Sequence, residues 1–151
     1  MTQINISASL DTKHLEVAYP FKAKYGNYIN GAFVEPKSGQ YFENCSPITG
    51  EAICEMARSN ADDVNSAIDA GHAAFPAWGK TSLAERANIL NKIADVMEAN
   101  LMLLATAETI DNGKPISVTV NADMALAVDD FWYFAGCIRA EEGSIAEIDA
   151  N

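Results

Sequence analysis

The sequence predicts a mixed fold in which short N-terminal β-strands are followed by about four α-helices and a terminal strand. Over residues 25–58, polar and apolar residues alternate with a period of two, and turn residues interrupt the alternation. Over residues 59–143, apolar residues recur every three or four positions, as expected of helices that bury one face. Residues 144–149 return to a strand-like pattern. This order favours a helix-dominated chain over a complete doubly wound sheet, in which strands and helices alternate.

Turn chemistry divides the strand region. Residues 1–24 show no sustained period and are predicted to form an arm or an extended lead-in. Within the next strand run, Asn30-Gly31 suits the positive φ angles of a tight hairpin turn. Further strands are predicted at 41–45 and 51–57, separated by a turn at 46–50.

The first helix has two possible starts. Either Ser59 with Asp62, or Asn60 with Asp63, supplies an N-cap followed by an acid in the first turn, where negative charge favours the positive end of the helix. The helix is predicted to break near Pro76, because proline removes a helical hydrogen bond.

The next helices have clearer boundaries. Ser82 and Glu85 form a capping box at the start of the second helix. The third helix, over 101–110, is predicted to end where Gly113 takes the left-handed conformation. Pro115 suits the first position of the following helix, where its missing N–H costs nothing.

The last helix, over 121–140, is apolar on several sides and is predicted to be buried by more than one neighbour. Its aromatic run 131–134 is predicted to be core rather than a cofactor box. Because Asp129-Asp130 interrupts this apolar surface, one of the two carboxylates is expected to pair with a basic group such as Arg139 or Arg86.

Composition excludes several classes of function. The chain has 151 residues and a net charge of −11, which opposes binding to nucleic acids and anionic membranes. It contains no apolar run of membrane-spanning length, and residues 1–20 lack the apolar core of a secretory signal. A cytoplasmic protein is expected.

The three cysteines do not form a disulfide framework or a metal site, because Cys45, Cys54 and Cys137 are odd in number and widely spaced. Cys54 and Cys137 are predicted to be buried, inert thiols. The charged residues of the second helix alternate in sign, which predicts a solvated face rather than acid–base chemistry.

Three segments carry a family resemblance. Glu108-Thr-Ile-Asp-Asn-Gly-Lys-Pro115 resembles the E-T-x-D-N-G-K-P turn of the NAD(P)-dependent aldehyde dehydrogenases. Tyr28-Ile-Asn-Gly-Ala-Phe33, followed by Ser46-Pro-Ile-Thr-Gly-Glu51, is similar to the opening of that family. Trp132-Tyr-Phe-Ala-Gly136 resembles its R-Y-Y-A-G helix. The combination is most like the bacterial acetaldehyde dehydrogenase branch and marks an N-terminal portion of such an enzyme.

The resemblance implies an α/β parent enzyme that oxidises an aldehyde, of short aliphatic type, to the carboxylic acid with NAD or NADP as a homo-oligomer. In that parent, 1–24 would be an arm, 25–58 a strand segment, 59–143 the helical part of the cofactor-binding domain, and 144–151 the start of a strand leading out. The family's catalytic cysteine, glutamate and cofactor motifs are absent from this sequence. No residue is therefore assigned a catalytic or cofactor-binding role, and the chain alone is expected to be inactive and to bind no cofactor.

The resemblance also implies two weaker sites. Asn44, the backbone carbonyl of Cys45, and Asp111 match the positions that hold a structural monovalent cation in several family members, and oxygen ligands suit a hard cation. Leu126, with Met124 next, is the residue expected to border the substrate tunnel. The alternative function is a non-catalytic helical interaction module, which a stable isolated chain would support.

Overall fold

The computed structural model describes residues 18–143, so the predicted terminal strand at 144–149 and the arm up to residue 17 lie outside the described residues. Five short strands precede the helices, and a single π-helical turn (the π-turn, Thr119–Met124) leads into the last helix. The elements are β1 (Lys24–Tyr25), β2 (Asn27–Ile29), β3 (Ala32–Val34), β4 (Tyr41–Cys45), β5 (Ala52–Ala57), α1 (Ala61–Trp78), α2 (Leu83–Ala99), α3 (Leu101–Asn112), α4 (Ile116–Val118) and α5 (Ala125–Ala140).

The strands form two small sheets. In one, β5 is central, pairing in parallel with β1 and antiparallel with β4. The other is the β2–β3 hairpin, whose turn places Asn30 and Gly31 at φ angles of 51° and 82°. Positive φ at both central residues gives the right-handed twist that a two-residue hairpin needs, so the predicted hairpin is confirmed.

A buried cluster joins β5 to α3. Ile53 and Cys54 of β5 pack with Ile110 of α3, and each side chain is at most 3% exposed. Because Ile110 lies in the last full turn of α3, this cluster brings the C-terminal end of the helix against the three-stranded sheet.

The start of α1 follows the second of its two predicted alternatives. The Asn60 side chain accepts hydrogen bonds from the amides of Asp62 and Asp63, and the Asp63 carboxylate accepts the Asn60 amide in return. The buried Asp63 carboxylate also accepts the Lys37 amide at 2.8 Å. This one side chain therefore both caps α1 and attaches the preceding loop to it.

The predicted end of α1 near Pro76 is confirmed to within two residues, because the helix includes Pro76 and ends at Trp78. Pro76 has no N–H to donate to the His72 carbonyl, so it removes one helical hydrogen bond, and the helix ends two residues later. The helix end is closed by Gly79, whose amide bonds to the Phe75 and Ala77 carbonyls. Arg86 adds a hydrogen bond of 3.0 Å from its guanidinium to the Trp78 carbonyl.

The capping box of α2 is confirmed: the Glu85 amide bonds to the Ser82 hydroxyl, and the Ser82 amide bonds to the Glu85 carboxylate. Pro115 precedes α4 as its N-cap instead of occupying the first helical position. The most extensive contact between helices is that of α2 with α5. The two helices approach closely because small residues are fully buried between them: Ala87 and Ala94 on α2, and Ala135 on α5.

The prediction that α5 is buried on several sides is wrong within the part of the chain that the structure describes. Tyr133 and Phe134 are 63% and 57% exposed, and Trp132 is 37% exposed. Cys137, expected to be buried, is exposed, whereas Cys54 is buried as predicted. Within residues 18–143, α5 has one large contact surface, formed with α2, so its opposite side faces open space.

The expected ion pair at Asp129-Asp130 is also wrong. Both carboxylates are exposed, because adjacent helical positions about 100° apart can both lie on the side away from α2. The two basic candidates have other partners. Arg139 bonds to the Asn88 side chain at 2.6 Å, and Arg86 bonds to Thr81 and to the Trp78 carbonyl.

Candidate functional site

The candidate site is built where the loop between β4 and β5 meets the end of α3. The Ser46 hydroxyl donates to the Ile110 carbonyl at 3.0 Å and accepts from the Ile48 amide at 3.3 Å. Ser46 is 3% exposed, so this bond satisfies a helix-end carbonyl in a place that water does not reach. Sequence reasoning did not select Ser46. A serine at the start of the 46–50 turn indicates a local side-chain bond, but not a partner 64 positions away.

Gly113 allows the two segments to approach each other. Its φ of 81° is the left-handed conformation predicted for the end of α3. A Cβ atom at this position would lie 3.2 Å from Pro47 Cγ and 3.7 Å from Ile48 Cγ1. Glycine is therefore required both for its backbone angle and for its lack of a side chain.

The predicted cation residues Asn44 and Asp111 are brought together. Asn44 Nδ2 donates to Asp111 Oδ1 at 2.6 Å, a bond between β4 and the end of α3. The pairing register of β4 with β5 shifts between Asn44 and Cys45, so the two predicted strand ligands lie at an irregularity in the sheet. Asp111 and Cys45 are exposed and Asn44 is half-buried, which leaves the carboxylate open to solvent.

This bond faces a pocket of about 500 Å³ between the three-stranded sheet and α3. Asn44, Asp111 and Cys54 line it together with Tyr25 and Met124. Of the two predicted tunnel residues, Met124 therefore shares a cavity with the candidate cation residues.

Leu126 lies elsewhere: it does not line that pocket, and its side chain is 61% exposed. Two positions along an α-helix differ by about 200°, so side chains at Met124 and Leu126 point to nearly opposite sides. Leu126 and Met124, the first and second candidates for the tunnel wall, therefore lie on different sides of the backbone.

The electrostatics of the pocket oppose thiol chemistry. Burial raises the pKa of the Cys54 thiol, and the nearby Asp111 carboxylate adds to the rise, while a hydrogen bond from Asn44 partly opposes it. The thiolate is the nucleophilic form of cysteine, so a raised pKa disfavours the reactive form of Cys54.

Across residues 18–143 there is no group of three or more His, Cys, Asp or Glu side chains placed to hold a metal ion. In the same range, no helix is both long enough and apolar enough to cross a membrane. A single-carboxylate site such as that at Asp111 would need further oxygen ligands from backbone or amide groups.

Comparison with known proteins identifies the class to which this fold belongs. The Aldehyde dehydrogenase family matches residues 33–151. The chain is 60% identical over 137 residues to Acetaldehyde dehydrogenase 2 of Cupriavidus necator, covering 91% of this chain and 27% of that protein. It is 61% identical over 129 residues to Acetaldehyde dehydrogenase of Pseudomonas aeruginosa, covering 85% of this chain and 26% of the relative.

The solved structures agree. The NAD⁺ complex of an aldehyde dehydrogenase from Bacillus cereus superimposes with a TM-score of 0.80 at 29% identity, covering 93% of this chain and 28% of that one. The chain belongs to the aldehyde dehydrogenase family. It spans about a quarter of the length of the relatives it matches and corresponds to their N-terminal part.

Proposed function

We propose that this chain supplies the N-terminal scaffold of an NAD(P)-dependent aldehyde dehydrogenase that oxidises a short aliphatic aldehyde to its carboxylic acid. The observation that carries the proposal is about 60% identity to two proteins named acetaldehyde dehydrogenase over most of this chain. The NAD⁺-bound relative of the same fold supports NAD as the cofactor of the whole enzyme. We further propose a homo-oligomer in the cytoplasm, with residues 25–58 as a strand segment and 59–143 as the helical part of the cofactor-binding domain.

The scaffold role is supported by apolar surface that the described residues leave uncovered. Along α1, Val64, Ile68, Phe75 and Trp78 recur at helical spacing and are between 47% and 69% exposed. An amphipathic helix normally buries such a stripe. In the complete enzyme, the part of the fold that follows this chain would cover it.

The second part of the proposal is a structural cation site at Asn44, Cys45 and Asp111. The Asp111 carboxylate lines the pocket, and the Asn44 side chain is already hydrogen-bonded to that carboxylate. Asn44 now presents its amide N–H to Asp111. A bound cation would replace that N–H, and the amide would turn to offer its oxygen, beside the Cys45 carbonyl. An all-oxygen set of this kind suits a hard monovalent cation.

The third part concerns the substrate tunnel. We propose that Leu126 borders the path of the aldehyde, because it is an exposed aliphatic side chain at the start of α5. Met124 would stand on the other side of the same backbone, toward the cation pocket. An apolar wall of this kind discriminates aldehydes by chain length, at about 1–3 kcal/mol per methylene.

The test is a chimaeric enzyme in which this chain replaces the matching residues of the Pseudomonas aeruginosa relative. We expect NAD-dependent oxidation of acetaldehyde by the chimaera and none by the 151-residue chain alone. A folded chimaera without activity, beside an active parent enzyme, would contradict the proposal.

The tunnel wall is tested in the same chimaera with Leu126→Ala. Val96→Ala is the matched control, because Val96 is an aliphatic residue of α2 with 60% exposure. We expect Leu126→Ala to change the ratio of kcat/KM between short and longer aldehydes about 10-fold or more, and Val96→Ala to leave it unchanged. Equal ratios in the two variants would remove Leu126 from the tunnel wall.

A further inference from the structure

A short ion pair joins the end of α3 to the π-turn. Lys114 Nζ lies 2.6 Å from Asp123 Oδ2, and the two side chains are 48% and 26% exposed. The backbone of Lys114 is fixed in the turn that follows α3, because its amide donates to Asn112 Oδ1 at 2.9 Å. The bond joins two positions nine residues apart, one on each side of α4.

The π-turn is fixed at its other end by one buried hydroxyl group. Thr119 is fully buried, and its Oγ1 lies 2.9 Å from Thr109 Oγ1 on α3. The Thr119 hydroxyl also bonds to the Ile116 carbonyl at 3.1 Å. The first residue of the π-turn is therefore attached to α3, and its fifth residue, Asp123, is attached to Lys114.

The π-turn determines the direction of the next side chain. A π-helical turn contains an extra residue relative to an α-helical turn, so it rotates the residues before it relative to those of α5. Met124 is the last residue of this turn and follows Asp123 directly. Its side chain lines the pocket that also contains the Asn44–Asp111 bond.

We propose that Lys114 and Asp123 are positioning residues: their ion pair holds the π-turn in the register that directs Met124 into the pocket. The D-N-G-K segment then has two tasks. Asp111 belongs to the candidate cation site, and Lys114, through Asp123, positions Met124 in the same pocket. The importance of Met124 for catalysis rests on the proposed function, whereas its placement by the ion pair is a property of this chain.

The test uses methyl-labelled methionine in the 151-residue chain, observed by NMR. Met124 and Met56 line the pocket, while Met97 and Met102 do not and serve as internal references. We expect Lys114→Ala and Asp123→Asn to move the Met124 signal by several times the change at Met97. Lys114→Arg keeps the charge and should restore the native position.

Lys24→Ala is the matched control, because Lys24 is equally exposed at 48% but pairs with Glu55 at the looser distance of 3.8 Å. It should leave Met124 in place. The inference is overturned if the Met124 methyl signal keeps its position in both Lys114→Ala and Asp123→Asn. It is also overturned if the Met97 and Met102 signals shift as far as that of Met124, since the ion pair would then act on overall stability alone. An inactive chimaera with a responsive Met124 would refute the proposed function and leave the positioning role standing.

Discussion

Replacing Gly113 by alanine tests why glycine is needed at the end of α3. The two possible reasons are its positive φ angle and its close contact with the 46–50 loop. An alanine at a φ of 81° costs about 1–2 kcal/mol from the left-handed conformation itself. Its Cβ would also lie 3.2 Å from Pro47 Cγ, so the proline must move by a few tenths of an ångström. Pro47 is exposed and can give way in part, so this contact should add about 1 kcal/mol, at the low end of the cost of overpacking.

Gly50→Ala is the matched control. Gly50 has a φ of 71° in the 46–50 loop, which contains Pro47, but a Cβ there would meet no atom within 4 Å. It should lose only the conformational term of about 1–2 kcal/mol, so the difference between the two variants measures the contact with Pro47.

The assay is urea unfolding followed by circular dichroism. With a slope of about 1–3 kcal/mol/M, an extra loss of about 1 kcal/mol lowers the midpoint of Gly113→Ala below that of Gly50→Ala by roughly 0.3–1 M. Equal midpoints would refute the idea that the 46–50 loop packs tightly against the end of α3.

Two further predictions concern α2 and the cysteines. Hydrogen bonds from the Ser82 amide and hydroxyl lower the pKa of Glu85 below its ordinary 4.5, so they stabilise the fold above that pH and are lost as the pH falls through the lowered pKa. The stability difference between the native chain and Glu85→Gln, measured by thermal melts across the acid range, should therefore shrink with falling pH; a constant difference would argue against the capping box. In the folded chain, a thiol-reactive disulfide should modify Cys45 and Cys137 quickly and Cys54 only on unfolding, as followed by mass spectrometry. Three equally fast thiols would contradict the burial of Cys54.

The features predicted correctly from sequence are those fixed by residues close together in the chain. The Asn30-Gly31 hairpin and the left-handed Gly113 each depend on two or three adjacent positions. The capping box of Ser82 and Glu85 spans a single helical turn. Pro76 indicated the end of α1 only to within two residues, because the helix is closed by the Gly79 amide through bonds that composition does not indicate.

Burial could not be predicted in the same way. The run 131–134 is apolar, but the side chains that would cover it are not among residues 18–143, so aromatic residues remain exposed. The apolar pattern reports what a complete fold buries, and this chain spans about a quarter of its relatives.

The candidate site was predictable only through family resemblance. Asn44 and Asp111 lie 67 positions apart, and no local pattern indicates that they meet. The sequence could have placed Met124 and Leu126 on different sides of the helix, because residues two positions apart differ in direction by about 200°. The π-turn that orients Met124 has no comparable sequence signal.

The central claim is that the cofactor chemistry of the enzyme requires sequence beyond these residues. The most direct test is a thermal melt of the 151-residue chain and of the chimaeric enzyme, each with and without millimolar NAD. A ligand that binds the folded state raises its stability by RT ln(1 + [L]/Kd). We predict a raised midpoint for the chimaera and an unchanged one for the chain alone. A raised midpoint for the chain alone would reveal a cofactor site within it and contradict the account.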